Sequence, residues 1–126
     1  MRSIAANIGA KTSIDPAVQS ASVNGTSVDT LGFNSLAFIV QTGAIVGAGV
    51  FGVSLEDSDD NATFAAVAAD QVKSNAPTAL AASSTYKVGY HGFKRYVRPV
   101  LTKASGTSIA AGVAAVLGHA AQKPVA

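Results

Sequence analysis

Cysteine and tryptophan are absent from this chain of 126 residues, and charged residues make up only 13% of it. Without cysteine there is no disulfide framework and no thiolate metal site, and the redox compartment is left open. Without tryptophan, and with all three tyrosines between Tyr86 and Tyr96, a sugar-stacking platform is weakly supplied. The charged share is about half the usual one, and a net charge of +2 is too small to argue for nucleic acid. The N-terminal stretch MRSIAANIGAKTS has one early arginine but no apolar core of signal-peptide length, so export through a cleaved signal is not expected. What is present is a chain 48% hydrophobic and rich in Ala, Val, Gly, Ser and Thr. Such a chain is long enough to bury the core of one domain without disulfides. So little charge implies that some apolar surface is covered by another subunit.

Leu36 to Leu55, LAFIVQTGAIVGAGVFGVSL, is uncharged throughout. About 20 apolar residues suffice to cross a bilayer as a helix, and Gly43 and Gly47 stand at the spacing of a transmembrane dimer motif. Against that reading, Gln41, Thr42 and Ser54 interrupt the run, and the nearest flanking charges are acidic: Asp29 before, Glu56 and Asp57 after. A span carries Lys or Arg on its cytoplasmic side. Phe51, Val53 and Leu55 alternate with Gly52, Ser54 and Glu56, the period of a half-buried strand. The run therefore predicts two strands joined by a glycine-rich connection.

Residues 1–17 are small, weakly patterned and interrupted by Pro16, which predicts an extended arm. Val18–Val23 predicts a first strand closed by Asn24-Gly25, a strong hairpin signal. Ser35–Gln41 is apolar on both faces, hence a central strand. Val50–Glu56 runs into the polar turn Asp57-Ser58-Asp59-Asp60-Asn61. Thr63–Val72 reads as a short strand entering a loop, and Ser74–Ser84, with Pro77, as a loop. Tyr86–Tyr90 and Lys94–Thr102 alternate, with His91-Gly92 as the turn between them. Pro99 cannot donate to a ladder, so its side of the strand should be an edge or a bulge. Ile109, Ala111, Val113, Ala115 and Leu117 make one face of a last strand. Seven or eight short strands with a turn about every ten residues define an all-β sandwich or barrel, with a sandwich domain over 18–120 and a tail at 121–126. Phe38, Val53 and Val97 should lie between the sheets.

Gly47-Ala48-Gly49-Val50-Phe51-Gly52 spells GxGxxG, but the mechanism needs a helix N-terminus after it, and a strand follows. Asp57, Asp59 and Asn61 match the first three ligand positions of a calcium loop. Ala62 then stands where glycine is required, and Ala68 where a bidentate glutamate is required. Lys94, Arg95 and Arg98 form the one basic cluster, too few for a nucleic-acid groove. They read as a solvated edge defended by charge or as a contact with an acidic partner surface. His91 and His119, the only histidines, have no carboxylate spacing that would build a metal site, and nothing favours a Ser-His-Asp triad.

The succession LEDSDDNATF, a small-residue loop, YKVGYHGFKRYVRPVLT and a last apolar strand ending LGH resembles the capsid decoration, or cement, proteins of tailed bacteriophages. The resemblance spans about residues 26–120 and implies a jelly-roll fold. It also implies a structural, non-enzymatic role on the capsid exterior. Such a protein is made in the host cytoplasm and sits, often as a dimer, across neighbouring subunits of the major capsid protein. No catalytic motif, cofactor, nucleic acid or membrane comes with it. The alternative is a head-fibre base or a tail-associated β-sandwich. Ile4, Ile8 and Ile14 are the expected anchors on the arm, and Lys94, Arg95 and Arg98 the expected polar contacts. On this reading, removing residues 1–15 leaves a folded domain that binds its partner more weakly.

Overall fold

The computed structural model describes residues 3–125. Met1 and Arg2 of the expected arm and Ala126 of the expected tail fall outside them. The described chain forms ten strands: β1 (Gly9–Gln19), β2 (Val23–Asn24), β3 (Val28–Asp29), β4 (Phe33–Val46), β5 (Val50–Ser58), β6 (Ala65–Ala66), β7 (Val72–Ser74), β8 (Thr85–Tyr90), β9 (Tyr96–Ser105) and β10 (Ser108–Ala120). Its helical content is two single 3-10 turns, Ala5–Asn7 and Ala69–Gln71. One sheet runs β1-β10-β4-β8-β7, and the other runs β2-β9-β5-β6, with β3 following β2 along the same side of β9.

The pairings are nested. β1 pairs with β10, β2 and β3 with β9, β4 with β8, and β5 with β6, all antiparallel. This is a long antiparallel ribbon rolled over so that its successive paired segments, β1/β10, β2–β3/β9, β4/β8 and β5/β6, fall in alternate sheets, the jelly roll of two Greek keys. Counting β2 and β3 as one interrupted strand gives its eight principal strands, and β7 is an addition at the edge beside β8.

Alternation fills the space between the sheets. Leu36, Phe38 and Val40 of β4 and Val88 of β8 face Phe51 and Leu55 of β5 and Val97 and Leu101 of β9. Ile109, Ala111, Val113, Ala115 and Leu117 of β10 are all buried, and Val53 is half-buried against the cluster. A fully buried side chain of this size contributes about 1.5–3 kcal/mol. Leu80, from the connection between β7 and β8, plugs the core, and its N–H donates to Phe51 O at 2.9 Å. Thr42 Oγ1 holds that connection to β4, donating to Ala81 O at 2.6 Å and accepting from Ser84 N at 2.9 Å. The run Leu36–Leu55 is β4, a turn in which Gly47 and Ala48 take positive φ, and β5. Among the described residues no helix is long and apolar enough to cross a membrane.

Three sequence expectations change. Residues 9–17 are not an arm: β1 pairs with β10 from Gly9↔Leu117 to Gln19↔Ile109, and Ile14 is 4% exposed in the core. Ser13 Oγ donates to Thr26 O at 2.6 Å, and Thr26 N–H donates to Ser13 O at 2.7 Å, which fastens β1 to the opposite sheet's β2–β3 connection. The sandwich therefore begins near residue 9 rather than 18, and removing residues 1–15 would take out most of β1 together with the core residue Ile14. Asn24-Gly25 makes no hairpin. Gly25 N–H donates to Pro99 O at 2.7 Å, and a Cβ on Gly25 would lie 2.7 Å from Pro99 Cγ. Finally, Val18–Val23 is not one strand, because Val18 pairs in β1 of one sheet and Val23 in β2 of the other, while His91-Gly92 does lie in the connection from β8 to β9, which changes sheet.

Pro99 sits in the interior of the second sheet, opposite Leu55 on β5. In a strand a residue's N–H and C=O point to the same side, so the missing donor faces Gly25. That is the gap between β2, which pairs at Val100, and β3, which pairs at Val97. The proline is accommodated because its partner strand is interrupted there.

Candidate functional site

The cations of the basic cluster are each held by a carboxylate of the same chain. Arg98 lies directly across from Glu56 in the β5–β9 register. Its Nη2 is 2.6 Å and its Nε 2.8 Å from Glu56 Oε1, and its guanidinium stacks on Phe64 at 4.1 Å from the ring centre. Arg95 grips Asp29 with both fork nitrogens at 2.8 Å, the bidentate geometry that favours arginine. Lys94 Nζ is 3.6 Å from Asp59. Arg95 beside it lowers the Asp29 carboxyl to about 2. Exposed pairs of this kind are worth about 0–1 kcal/mol each. They tie β5, β9 and the loops together and do not present a free cationic surface to a partner.

The isoleucines part company too. Ile14 is core, Ile8 is half-buried just before β1, and Ile4 alone is exposed. The structure thus brings neither the three isoleucines nor the three cations together as one binding stripe.

The acidic turn is occupied by its own backbone. Asp60 Oδ1 accepts from Ala62 N and Thr63 N, both at 3.0 Å, and from Ser58 Oγ at 2.8 Å. These bonds favour its ionised form, and its carboxyl falls to about 2. Asp57, buried, accepts from Tyr90 Oη at 2.8 Å, a bond that joins β5 of one sheet to β8 of the other. Burial, and then Asp57, push the Tyr90 phenol up to about 12. Among the described residues no three His, Asp or Glu side chains come together as metal ligands. His119 Nδ1 is 2.9 Å from Ser35 Oγ, with no carboxylate hydrogen-bonded to the pair among the described residues.

A concavity lies along the first sheet, between β1, β10 and β4. It is an apolar groove of about 490 Å³ whose lining, including Pro16, Val18, Ile39, Gly112 and Ala114, contains no charged residue. β1 shapes it. The register slips between Thr12 and Ile14 and again between Ile14 and Ala17, and the bulged Pro16 leans over Gly112, where a Cβ would lie 3.0 Å from Pro16 Cα. Sequence reasoning missed this groove because Pro16 read as the end of pattern rather than as a bulge in a paired strand. It also missed the exposed Phe93, 83% accessible, and Leu31, 68% accessible. An aromatic beside a turn gives no sequence signal of which way it will face.

The class defined by these features is a jelly-roll domain whose basic cluster is paired internally and whose first sheet carries an apolar, uncharged groove. No protein-family model matches the chain, and no curated protein matches it.

Proposed function

We propose that this protein is a structural component of a tailed-phage particle. It binds the outside of the capsid and stabilises it by bridging neighbouring subunits of the major capsid protein, and it acts as a dimer rather than as an enzyme. The observation that carries the reading is the uncharged groove between β1, β10 and β4. A surface that holds a shell together must grip by apolar burial, at about 25 cal/mol per Å², because exposed ion pairs supply little. Here Arg95 and Arg98 are already paired within the chain, which favours apolar contact as the main grip. A standard interface buries about 800 Å² per partner, more than the groove alone offers, so the surrounding sheet face belongs to the contact as well. The resemblance of Leu55–Phe64 and Tyr86–Thr102 to decoration proteins points the same way.

Quantitative mass spectrometry of purified virions tests the reading. The expected result is a copy number approaching that of the major capsid protein. A few tens of copies per particle would favour a head-fibre base or a tail-associated module, and absence from virions would refute both.

A further inference from the structure

We propose that one end of the sandwich carries a preformed anchor: Phe93, supported by Leu31 and Ile4, inserts into an apolar pocket of a partner protein. The chemistry is read from this end itself. Only the partner's identity, the major capsid protein, rests on the decoration reading.

Three of the large apolar residues most open to solvent, Ile4 at 68%, Leu31 at 68% and Phe93 at 83%, gather at this end. There the 3-10 turn before β1, the β3–β4 turn, the β8–β9 loop and the tail after β10 meet, as Ala121 N–H to Gly32 O at 2.8 Å, Val125 N–H to Ala6 O at 2.8 Å and Thr30 N–H to Arg95 O at 2.9 Å show. The loop bearing Phe93 is fixed on both sides of it. His91 N–H donates to Gln71 O at 2.7 Å, and Lys94 N–H donates to Tyr90 Oη at 3.0 Å. Arg95 O accepts from Thr30 N at 2.9 Å and from Thr30 Oγ1 at 2.8 Å, while Arg95 and Lys94 are held by Asp29 and Asp59. The Tyr90 ring occupies the space where a side chain on residue 92 would begin, so only glycine fits there.

The phenyl ring contributes nothing to the core, while the loop that carries it is hydrogen-bonded on both sides. As a binding element it has the advantage that the loop's ordering cost is already met before contact. Single buried aromatics of this kind dominate interfaces. Lys94 and Arg95, the cations that follow Phe93 in the loop, are already paired with Asp59 and Asp29, so the loop presents no unpaired basic cluster to a lipid or nucleic-acid partner. Anionic membranes are bound by unpaired clusters of Lys and Arg. The fitting partner is an apolar pocket on a protein.

The test titrates the full-length protein, Phe93→Ala and Phe93→Leu onto undecorated shells of the major capsid protein. Phe93→Ala should keep the wild-type melting temperature and lose about 30-fold or more in affinity, while Phe93→Leu should recover most of it. Wild-type binding by Phe93→Ala overturns the anchor and leaves the decoration reading standing. Failure of the wild type itself to bind overturns the decoration reading. The anchor is then decided on purified particles by a photo-crosslinking phenylalanine analogue at position 93: one identified adduct with another particle protein supports it, and no adduct overturns it. Phe93-dependent sedimentation with phosphatidylcholine–phosphatidylglycerol vesicles would overturn the protein pocket in favour of a membrane.

Discussion

Truncating Ile14 to alanine asks whether β1 is a working strand of the sandwich or a loosely attached arm. Ile14 is 4% exposed and lies opposite Val113 of β10. Ile→Ala in a core costs about 2–5 kcal/mol, depending on how far the surroundings collapse. β1 is an edge strand with bulges on both sides of Ile14, so it can relax inward, which favours the lower half of that range, about 2–3 kcal/mol. That is a large share of the ~5–15 kcal/mol available to a domain. For a chain of this size it corresponds to a fall in melting temperature of roughly 6–15 °C. Ile4→Ala is the matched control. Its side chain is 68% exposed, and a surface truncation should stay within about 0.5 kcal/mol. Urea unfolding followed by circular dichroism measures both, with an unchanged slope confirming that only stability moved. Equal midpoints for Ile14→Ala, Ile4→Ala and wild type would refute the docking of β1.

Gly25→Ala should destabilise by about 1–3 kcal/mol, because the new methyl meets Pro99 Cγ at 2.7 Å and Pro99 O at 2.8 Å; a melting temperature equal to wild type would contradict that packing. The Asp29 carboxyl, held at about 2 by Arg95, contributes stability above its unfolded value near 4 that is lost as pH falls from about 4 towards 2. Asp29→Asn should therefore flatten that acid limb, which stability measured across the window will show. In a phenolate absorbance titration of the folded protein, one of the three tyrosines should titrate at about 12. Since that folded value lies above the unfolded one near 10, the associated stability is lost between about 10 and 12. Tyr90→Phe should remove the late step, and its persistence would mean another tyrosine bonds the buried carboxylate.

Strands β5, β9 and β10 were legible because their side chains alternate over six or more residues, the period the core demands, and β4 because it is apolar on both faces. β1 was not, because its bulges place Ser13 and Ile14 side by side in the interior and break the period where Pro16 already suggested disorder. β2 and β3 are two residues each, too short for any periodicity. Asn24-Gly25 signals a hairpin locally, yet the glycine is needed for Pro99, 74 positions further along, which no local rule can see. The basic cluster was legible as residues but not as a surface. Its carboxylates lie on other strands and turns, as far away in sequence as Asp29 is from Arg95, and only the fold reveals that the charges cancel.

The nested pairing has a consequence for how the chain reaches this state. β10 lies between β1 and β4, so the first strand has no neighbour on that side until the last one exists. While the polypeptide is being made, β1 and β4 each wait with an unsatisfied flank, and Gly9 finds Leu117 only after more than a hundred intervening positions have been synthesised. Pairing between such distant segments is slow, in the millisecond-to-second range typical of sandwiches, and uncapped flanks are templates for wrong partners. Acquisition of the native state therefore waits until β10 has been synthesised. A chain interrupted before residue 108 would leave β1 and β4 as aggregation-prone edges instead of yielding a smaller, partly functional domain.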